Sequence, residues 1–299
     1  MSFHDGELLV QERAGVVGEA KRVGQMLRPA ISPAARAFLA ERRFVVLSAA
    51  TVGGRVWVSV LAGPAGFLAV SEDGTRLDVT VDAQVDDPIT PAIHAGNSVG
   101  LLAIDFAARR RYRVNGVVRS SGAGIPLEVR EAFGNCPKYI HAYAPLPDGT
   151  VVQGPPQSGD RLDDHQRRWI ERAETLFLGT LHPEAGADAS HRGGAPGFVR
   201  VIEPRELVWG DYSGNRLFNS LGNVAVHPPA GLLFLDPATG STLQLSGALQ
   251  IDWSLETAAA IPGAERVLRF TIDQVVERPR AIPLRWAPGE SSPFNPPAR

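Results

Sequence analysis

Val99-Gly100-Leu101-Leu102 and Ala230-Gly231-Leu232-Leu233 are one short strand written twice, and the distance between the copies decides how the chain is read. Gly66-Phe67 returns as Gly197-Phe198, and Asn115-Gly116 returns as Ser246-Gly247; 197 − 66, 231 − 100 and 247 − 116 all equal 131. Asp105 and Asp236, which follow the Gly-Leu-Leu strands, keep the same offset. A constant offset across some fifty residues predicts a duplicated domain, and the polar differences between the copies are then the place to look for function.

Around these anchors the chain is rich in short apolar runs broken by Gly-Gly, Gly-Pro and Asp-Gly turns, the pattern of strands rather than of long helices. Strands are expected over 44–50, 56–61, 67–70, 77–81, 99–104 and 111–119, and again over 176–181, 198–201, 207–209, 232–235, 242–251 and 266–277. Helices are expected from Ser32-Pro33, near Ile89–Ala95, near Asp163–Glu174 and from Asn215. Strands at short intervals with tight turns point to two small barrels rather than an open parallel sheet. The expected division is an N-terminal helical and linker segment over 1–32, a first barrel over 33–144, a Pro/Gly/Ser-rich linker over 145–160 and a second barrel over 161–299.

Composition narrows the function classes. A hydrophobic content of 44% with 21% charged residues is that of a globular chain. A net charge of −2 supplies no field for nucleic acid or an anionic membrane. No apolar run is long enough to span a bilayer, and no signal peptide is legible, so a cytoplasmic protein is expected. The lone Cys136 excludes an internal disulfide and a Cys-based zinc site. No His-Glu-x-x-His pattern is present, so no metal is expected. Gly122-Ala123-Gly124 has Leu127 where a dinucleotide fingerprint needs its third glycine.

Two segments of the second copy are polar where the first is apolar. His191-Arg192 stand where the first copy has Val60-Leu61, and Arg216 stands where it has Val85. On a helix starting at Asn215, Leu217, Phe218, Leu221 and Val224 fall on one side, and Arg216, Asn219, Ser220 and Asn223 on the other. That second side is either a solvated face or a cluster of donors for an anion at the helix start. Arg109, Arg111 and Arg113 alternate on one face of their strand, which reads as exposed.

Ser190-His191-Arg192-Gly193-Gly194, Gly197-Phe198-Val199-Arg200-Val201, Gly214-Asn215-Arg216-Leu217 and Gly231-Leu232-Leu233-Phe234-Leu235 resemble the pyridoxamine 5′-phosphate oxidase-like, FMN-binding split-barrel family. Gly54–Ser59, Gly66-Phe67 and Arg109–Gly116 carry the same likeness in the first copy, in the tandem arrangement of one branch of that family. The resemblance implies mainly β architecture with short helices, namely two tandem six-stranded Greek-key split barrels. It also implies FMN in a groove between barrels, paired within the chain or in a homodimer, and oxidoreductase chemistry by hydride transfer on a small-molecule substrate, with NAD(P)H a candidate partner. On this chain the implied cofactor residues are Ser190, His191, Arg192, Gly193, Asn215, Arg216, Asn219, Ser220 and Asn223; the substrate candidates are Trp57, Lys138 and Tyr139. No catalytic side chain is legible. The competing reading is a carrier or sensor that binds a flavin, heme or deazaflavin without turning it over.

Overall fold

In the computed structural model, residues 2–120, 123–148 and 152–296 are described. Gly122 of the Gly122-Ala123-Gly124 stretch, residues 149–151 of the expected linker and residues 297–299 of the second barrel's expected range lie outside them.

The first copy contributes β1 (Phe44–Ala50), β2 (Val56–Ala62), β3 (Leu68–Val70), β4 (Arg76–Val79), β5 (Ser98–Asp105), β6 (Arg110–Val118) and β7 (Ile125–Asn135). After β8 (Tyr143–Pro145) and β9 (Gln157–Gly159), the second contributes β10 (Thr175–His182), β11 (Gly186–Gly193), β12 (Val199–Glu203), β13 (Glu206–Asp211), β14 (Pro229–Leu235), β15 (Thr242–Asp252) and β16 (Arg266–Arg278); β17 (Trp286–Pro288) pairs with β8. The strand orders are β2-β1-β5-β6-β7-β4-β3 and β11-β10-β14-β15-β16-β13-β12, one order used twice. All pairings are antiparallel, and each copy encloses its own apolar core, around Leu47, Leu77 and Leu101 in one and Trp209, Phe234 and Phe270 in the other. The chain is mainly β, two tandem split barrels, with the short β3 and β12 at the edge beside six other strands. β7 is absent from the strands expected from sequence, although Ile125, Leu127 and Val129 alternate with Pro126, Glu128 and Arg130 across it.

Each repeated residue now has a physical reason. Gly66 and Gly197 sit at φ of 91° and 84°, in the left-handed region that glycine enters without a Cβ clash. Asn115-Gly116 and Ser246-Gly247 mark the same β-bulge, a register shift between β6 and β7 and between β15 and β16. Asp105 and Asp236 accept the backbone N–H of Ala108 and Ala238 at 3.0 and 2.9 Å, closing the turn after each strand. Gly100 and Gly231 let the two barrels touch. A Cβ on Gly100 would lie 2.5 Å from the backbone of Asp188 on β11, and one on Gly231 would lie 2.8 Å from Val56 O on β2. Ser48 and Gly179, also 131 apart, meet each other. The contacts β5 with β11 and β14 with β2, and β6 with β11 and β15 with β2, exchange under the same offset. The barrels pack about an internal pseudo-twofold axis.

Helices lie around the pair. α1 (Asp5–Arg13), α2 (Val17–Val23) and α3 (Pro33–Ala40, capped by Ser32) precede the first barrel, and α4 (Asp164–Arg172, capped by Asp163) opens the second. A single 3-10 turn at Thr90–Ala92 stands where a helix over Ile89–Ala95 is expected. α5 (Asn219–Val226) follows β13, and α6 (Leu255–Ala259) follows β15. α1 does not lie on the barrel that follows it. It packs on α5 of the second barrel, with Gln11 Nε2 donating to Leu217 O at 2.9 Å and Gly6 against Gly222. Among the described residues no helix is long and apolar enough to cross a membrane.

Candidate functional site

The pseudo-twofold axis creates two related clefts, and they differ in content. In each, β11 or β2 of one barrel faces β6 or β15 of the other. On the first barrel's side the position equivalent to Arg113 is Gln244, whose Nε2 donates to Val58 O at 2.9 Å and Asp87 Oδ1 at 3.2 Å. Arg278 from β16 enters the same place, buried, and donates to Asp87 Oδ2 at 2.7 Å and Asp86 Oδ1 at 2.7 Å. That side is filled by the protein's own side chains.

The other side gathers arginines. β6 of the first barrel projects Arg111 and Arg113 toward β11 of the second. Arg113 is only 6% exposed and donates from Nη1 to both oxygens of Asp188 at 3.1 Å. Arg111 donates from Nη1 to His191 Nδ1 at 2.9 Å and from Nε to Cys136 O at 3.0 Å. The expectation of an exposed face of Arg109, Arg111 and Arg113 is therefore corrected: period-two spacing puts Arg111 and Arg113 on one face, which the second barrel covers, while Arg109 precedes β6 at φ 49° and donates to Ile140 O at 3.2 Å. Burial pulls Arg111 down to about 10. His191 is driven well below its ordinary value by burial, then by Arg111 and Arg192. A neutral imidazole accepting at Nδ1 carries its proton on Nε2, which faces Thr175 Oγ1 at 3.4 Å.

The region around the start of α5 is also corrected. The helix begins at Asn219, not Asn215, and Phe218 precedes it in the left-handed region at φ 64° with no side-chain cap. Asn215 Oδ1 instead accepts the Leu217 N–H at 3.1 Å, a local bond that competes with helical pairing, and Arg216 turns at φ 65°. Arg216 thus leaves the helix face and pairs with Glu265 at 2.6 Å and Glu19 at 3.6 Å. Asn219, Ser220 and Asn223 do share a face, but it is buried rather than solvated.

Arg192, Asn215, Arg216, Asn219 and Ser220 line one small cavity of about 40 Å³ together with Arg113, Asp211, Tyr212 and Glu265. That is room for roughly three waters, the size of an oxyanion head and not of a ring system. Ser190 stands behind it, its Oγ accepting from Ser220 at 2.9 Å. Gly193 packs on the Tyr139 backbone, where a Cβ would lie 2.0 Å from the carbonyl oxygen. Asn223 turns away and donates to Thr180 Oγ1 at 3.0 Å. Tyr139 reaches the cavity's edge, its hydroxyl donating to Ser213 O at 3.1 Å beside Tyr212. Lys138 lies over Phe294 at 6.0 Å. Trp57 is corrected outright: it is 3% exposed, with its side chain in the first barrel's core.

Charge around the cavity is unequal. Arg111, Arg113, Arg192, Arg216 and Arg266 stand against four carboxylates, Asp188, Asp211, Glu265 and Glu19. Asp211 lies 3.9 Å from Arg192 and 3.4 Å from Arg266, yet burial raises its carboxyl above the usual range. Arg113 Nε, Arg192 Nε, and Arg266 Nε and Nη1 are buried without a hydrogen-bond partner. Buried guanidinium donors are normally satisfied; Arg278 Nε of the twin cleft is unpartnered as well, and what sets this side apart is the cavity that Arg113 and Arg192 line. Asp188, Asp211 and Arg266 belong to no motif legible in sequence; their importance comes only from the strands that fold against them.

α1 closes the other side of α5. Asn219 Nδ2 donates to Glu7 Oε1 at 2.6 Å, and His182 Nε2 donates to Asp5 Oδ1 at 2.8 Å. His4, Asp5 and His182 lie close enough to hold a metal ion, but both Nδ1 atoms accept backbone N–H groups: Glu7's on His4, Glu184's and Ala185's on His182. Each neutral ring therefore keeps its Nε2 proton, and the cluster is a docking contact for α1. Burial pushes Glu7 up to about 8 and pulls His4 down to about 4. A raised carboxyl adds stability below its unfolded value that is lost as pH rises, here between about 4.5 and 8. The depressed His4 acts oppositely, its contribution fading as pH falls from 6.5 toward 4. Between pH 7 and 9, melting temperature should fall less in Glu7→Gln than in the unsubstituted protein; parallel pH profiles would contradict the assignment.

No protein-family model matches the chain, and no curated protein matches it. Solved structures similar to it include HupZ of Group A Streptococcus, 8% identical over 44% of this chain and 98% of that one, with a TM-score of 0.30. A protein related to general stress protein 26 from Clostridium acetobutylicum, described as of the pyridoxinephosphate oxidase family, is 11% identical over 42% of this chain and 92% of its own, with a TM-score of 0.29. An F420 reductase is 13% identical over 38% and 95%, with a TM-score of 0.28. Each likeness spans about one barrel and concerns fold.

Proposed function

We propose that the arginine-lined cleft between the barrels binds the phosphate of a flavin, FMN being the candidate the resemblance implies, and that the protein is a flavin-dependent oxidoreductase. The observation that carries this reading is an oxyanion-sized cavity lined by Arg113 and Arg192, whose buried Nε donors have no partner, with Arg266 behind it on Asp211 and Glu265. Buried arginine donors favour a phosphate, which accepts several charge-assisted bonds at once. Arg192 and Arg113 would hold the phosphate, beside the first turn of α5. Asp188 and Asp211 would keep the arginines in place rather than touch the anion. When bound, the flavin would supply the redox chemistry, and the chain would supply binding, orientation and exclusion of water. His191, neutral and packed between Arg111 and Thr175, fixes Arg111 and is not assigned a proton transfer. The internal barrel pair completes the cleft within one chain, so this reading needs no second copy.

The test is an absorption titration of purified protein with FMN, followed by NADH or NADPH. Saturable flavin uptake with bleaching by a nicotinamide supports the oxidoreductase, whereas flavin that binds without turning over supports a carrier. Arg192→Ala should weaken FMN by ten- to a hundredfold, the worth of about one or two charge-assisted bonds. Arg216→Ala should weaken it less, because Glu265 and Glu19 already hold that side chain. Unchanged affinity in both would refute the site.

A further inference from the structure

A second cavity, of about 690 Å³, lies on the far side of Asp188 and Asn219 from the arginines, between β5, β6, β7, β11, α1 and α5. Its chemistry is the inverse of the first. Glu7, Glu131, Glu184 and Asp188 line it, and among the described residues the only lysine or arginine in the lining, Arg130, pairs with Glu128 at 3.0 Å. Asn115 and Asn219 contribute their amides. Asn115 Nδ2 donates to Glu131 at 3.2 Å and to Asp188 at 3.4 Å, and Asn219 Nδ2 donates to Glu7 at 2.6 Å. With the nitrogens committed, the amide oxygens are the free ends. Asn115 Oδ1 and Asn219 Oδ1 are both buried without a partner, on residues 9% and 6% exposed.

The unmet polar groups at this cavity are thus acceptors, and carboxyls surround them. The surrounding carboxyls disfavour an anion. We propose that this cavity is a binding site for a small organic cation that carries its charge on N–H donors, such as a primary ammonium. The ammonium would donate to Asn115 Oδ1, Asn219 Oδ1 and the Glu131 carboxylate, which is within reach of both its amide neighbour and the cavity. The three N–H donors of an ammonium match in number these two amide oxygens and one carboxylate. Glu131 is held up to about 7 by burial and by Asp188, and Glu7 by burial, with the Glu131 and Asp188 charges adding to it. A bound cation would favour the ionised form of both. His4 and His182 face the same wall as docking groups of α1, and Arg113 lies behind Asp188. The proposal does not depend on a flavin in the arginine cleft.

The experiment is isothermal titration calorimetry at pH 7.5 with butane-1,4-diamine, using tetramethylammonium at equal ionic strength as a cation without N–H donors. Both are run with and without FMN. The diamine should bind saturably at one site, and tetramethylammonium at least tenfold more weakly. Glu131→Gln, which keeps the shape and removes the charge, should weaken the diamine at least tenfold with an unchanged circular dichroism spectrum; Glu7→Gln is the second variant should the first misfold. Absence of saturable diamine binding, equal binding of tetramethylammonium, or undiminished binding in the folded variants would overturn the proposal. Loss of FMN binding with diamine binding intact would count against the arginine cleft alone.

Discussion

Gly100→Ala should lower the melting temperature by about 4–8 °C, and Gly231→Ala by less, because these glycines are where the two barrels touch. An added Cβ at Gly100 meets the Asp188 carbon at 2.5 Å and the Ala189 nitrogen at 2.6 Å, both backbone atoms that a rotamer change cannot move. At Gly231 the nearest atom is Val56 O at 2.8 Å, with Trp57 backbone at 3.2 Å. Overpacking of this kind costs about 1–3 kcal/mol, and about 2 kcal/mol corresponds to several degrees in a chain of this size. Gly134→Ala is the control, since nothing lies within 4 Å of its Cβ position. Thermal unfolding of the three variants under one set of conditions makes the comparison. Equal, small shifts in all three would mean that the barrels are not pressed together at the repeated glycine.

Asp188→Ala should be the most damaging single change in the cleft. It leaves Arg113, 6% exposed, without its carboxylate, and it removes an acceptor from Ser220 Oγ at 2.6 Å. Breaking a buried ion pair from one side costs about 3–5 kcal/mol, because the surviving charge stays desolvated. Replacing both partners removes that penalty, so Asp188→Ala with Arg113→Met should be more stable than Asp188→Ala alone. Urea unfolding of the two single variants and the double variant reads this directly. Additive losses would show that Arg113 and Asp188 are energetically independent, against the geometry.

Much of the fold was legible because each barrel repeats local rules. An apolar run bounded by turns locates Phe44–Ala50 to the residue, and the offset of 131 matches the strands of one copy to those of the other. What sequence could not show is what each strand faces. Arg113 looks like every other alternating arginine until β11 of the other barrel covers it. Trp57 looks like a binding aromatic until the first barrel closes around it. The start of α5 was misplaced because the Asn215 side chain bonds locally and Phe218 turns left-handed, neither of which periodicity reports. Residues 1–32 were read as helical with no place to go, whereas α1 seals the polar face of α5. The asymmetry between copies proved more specific than the residues first drawn from it. One cleft leaves a small cavity beside Arg113 and Arg192, while its twin is occupied by Gln244 and Arg278.

The central claim is that the arginine cleft grips a phosphate, and riboflavin, which shares FMN's ring system and lacks its phosphate, isolates it. Fluorescence titration should give FMN an affinity about a hundredfold above riboflavin's, as two charge-assisted bonds predict, with that ratio shrinking about tenfold or more in Arg192→Ala. Equal affinities for FMN and riboflavin, or a ratio that Arg192→Ala leaves unchanged, would contradict the account.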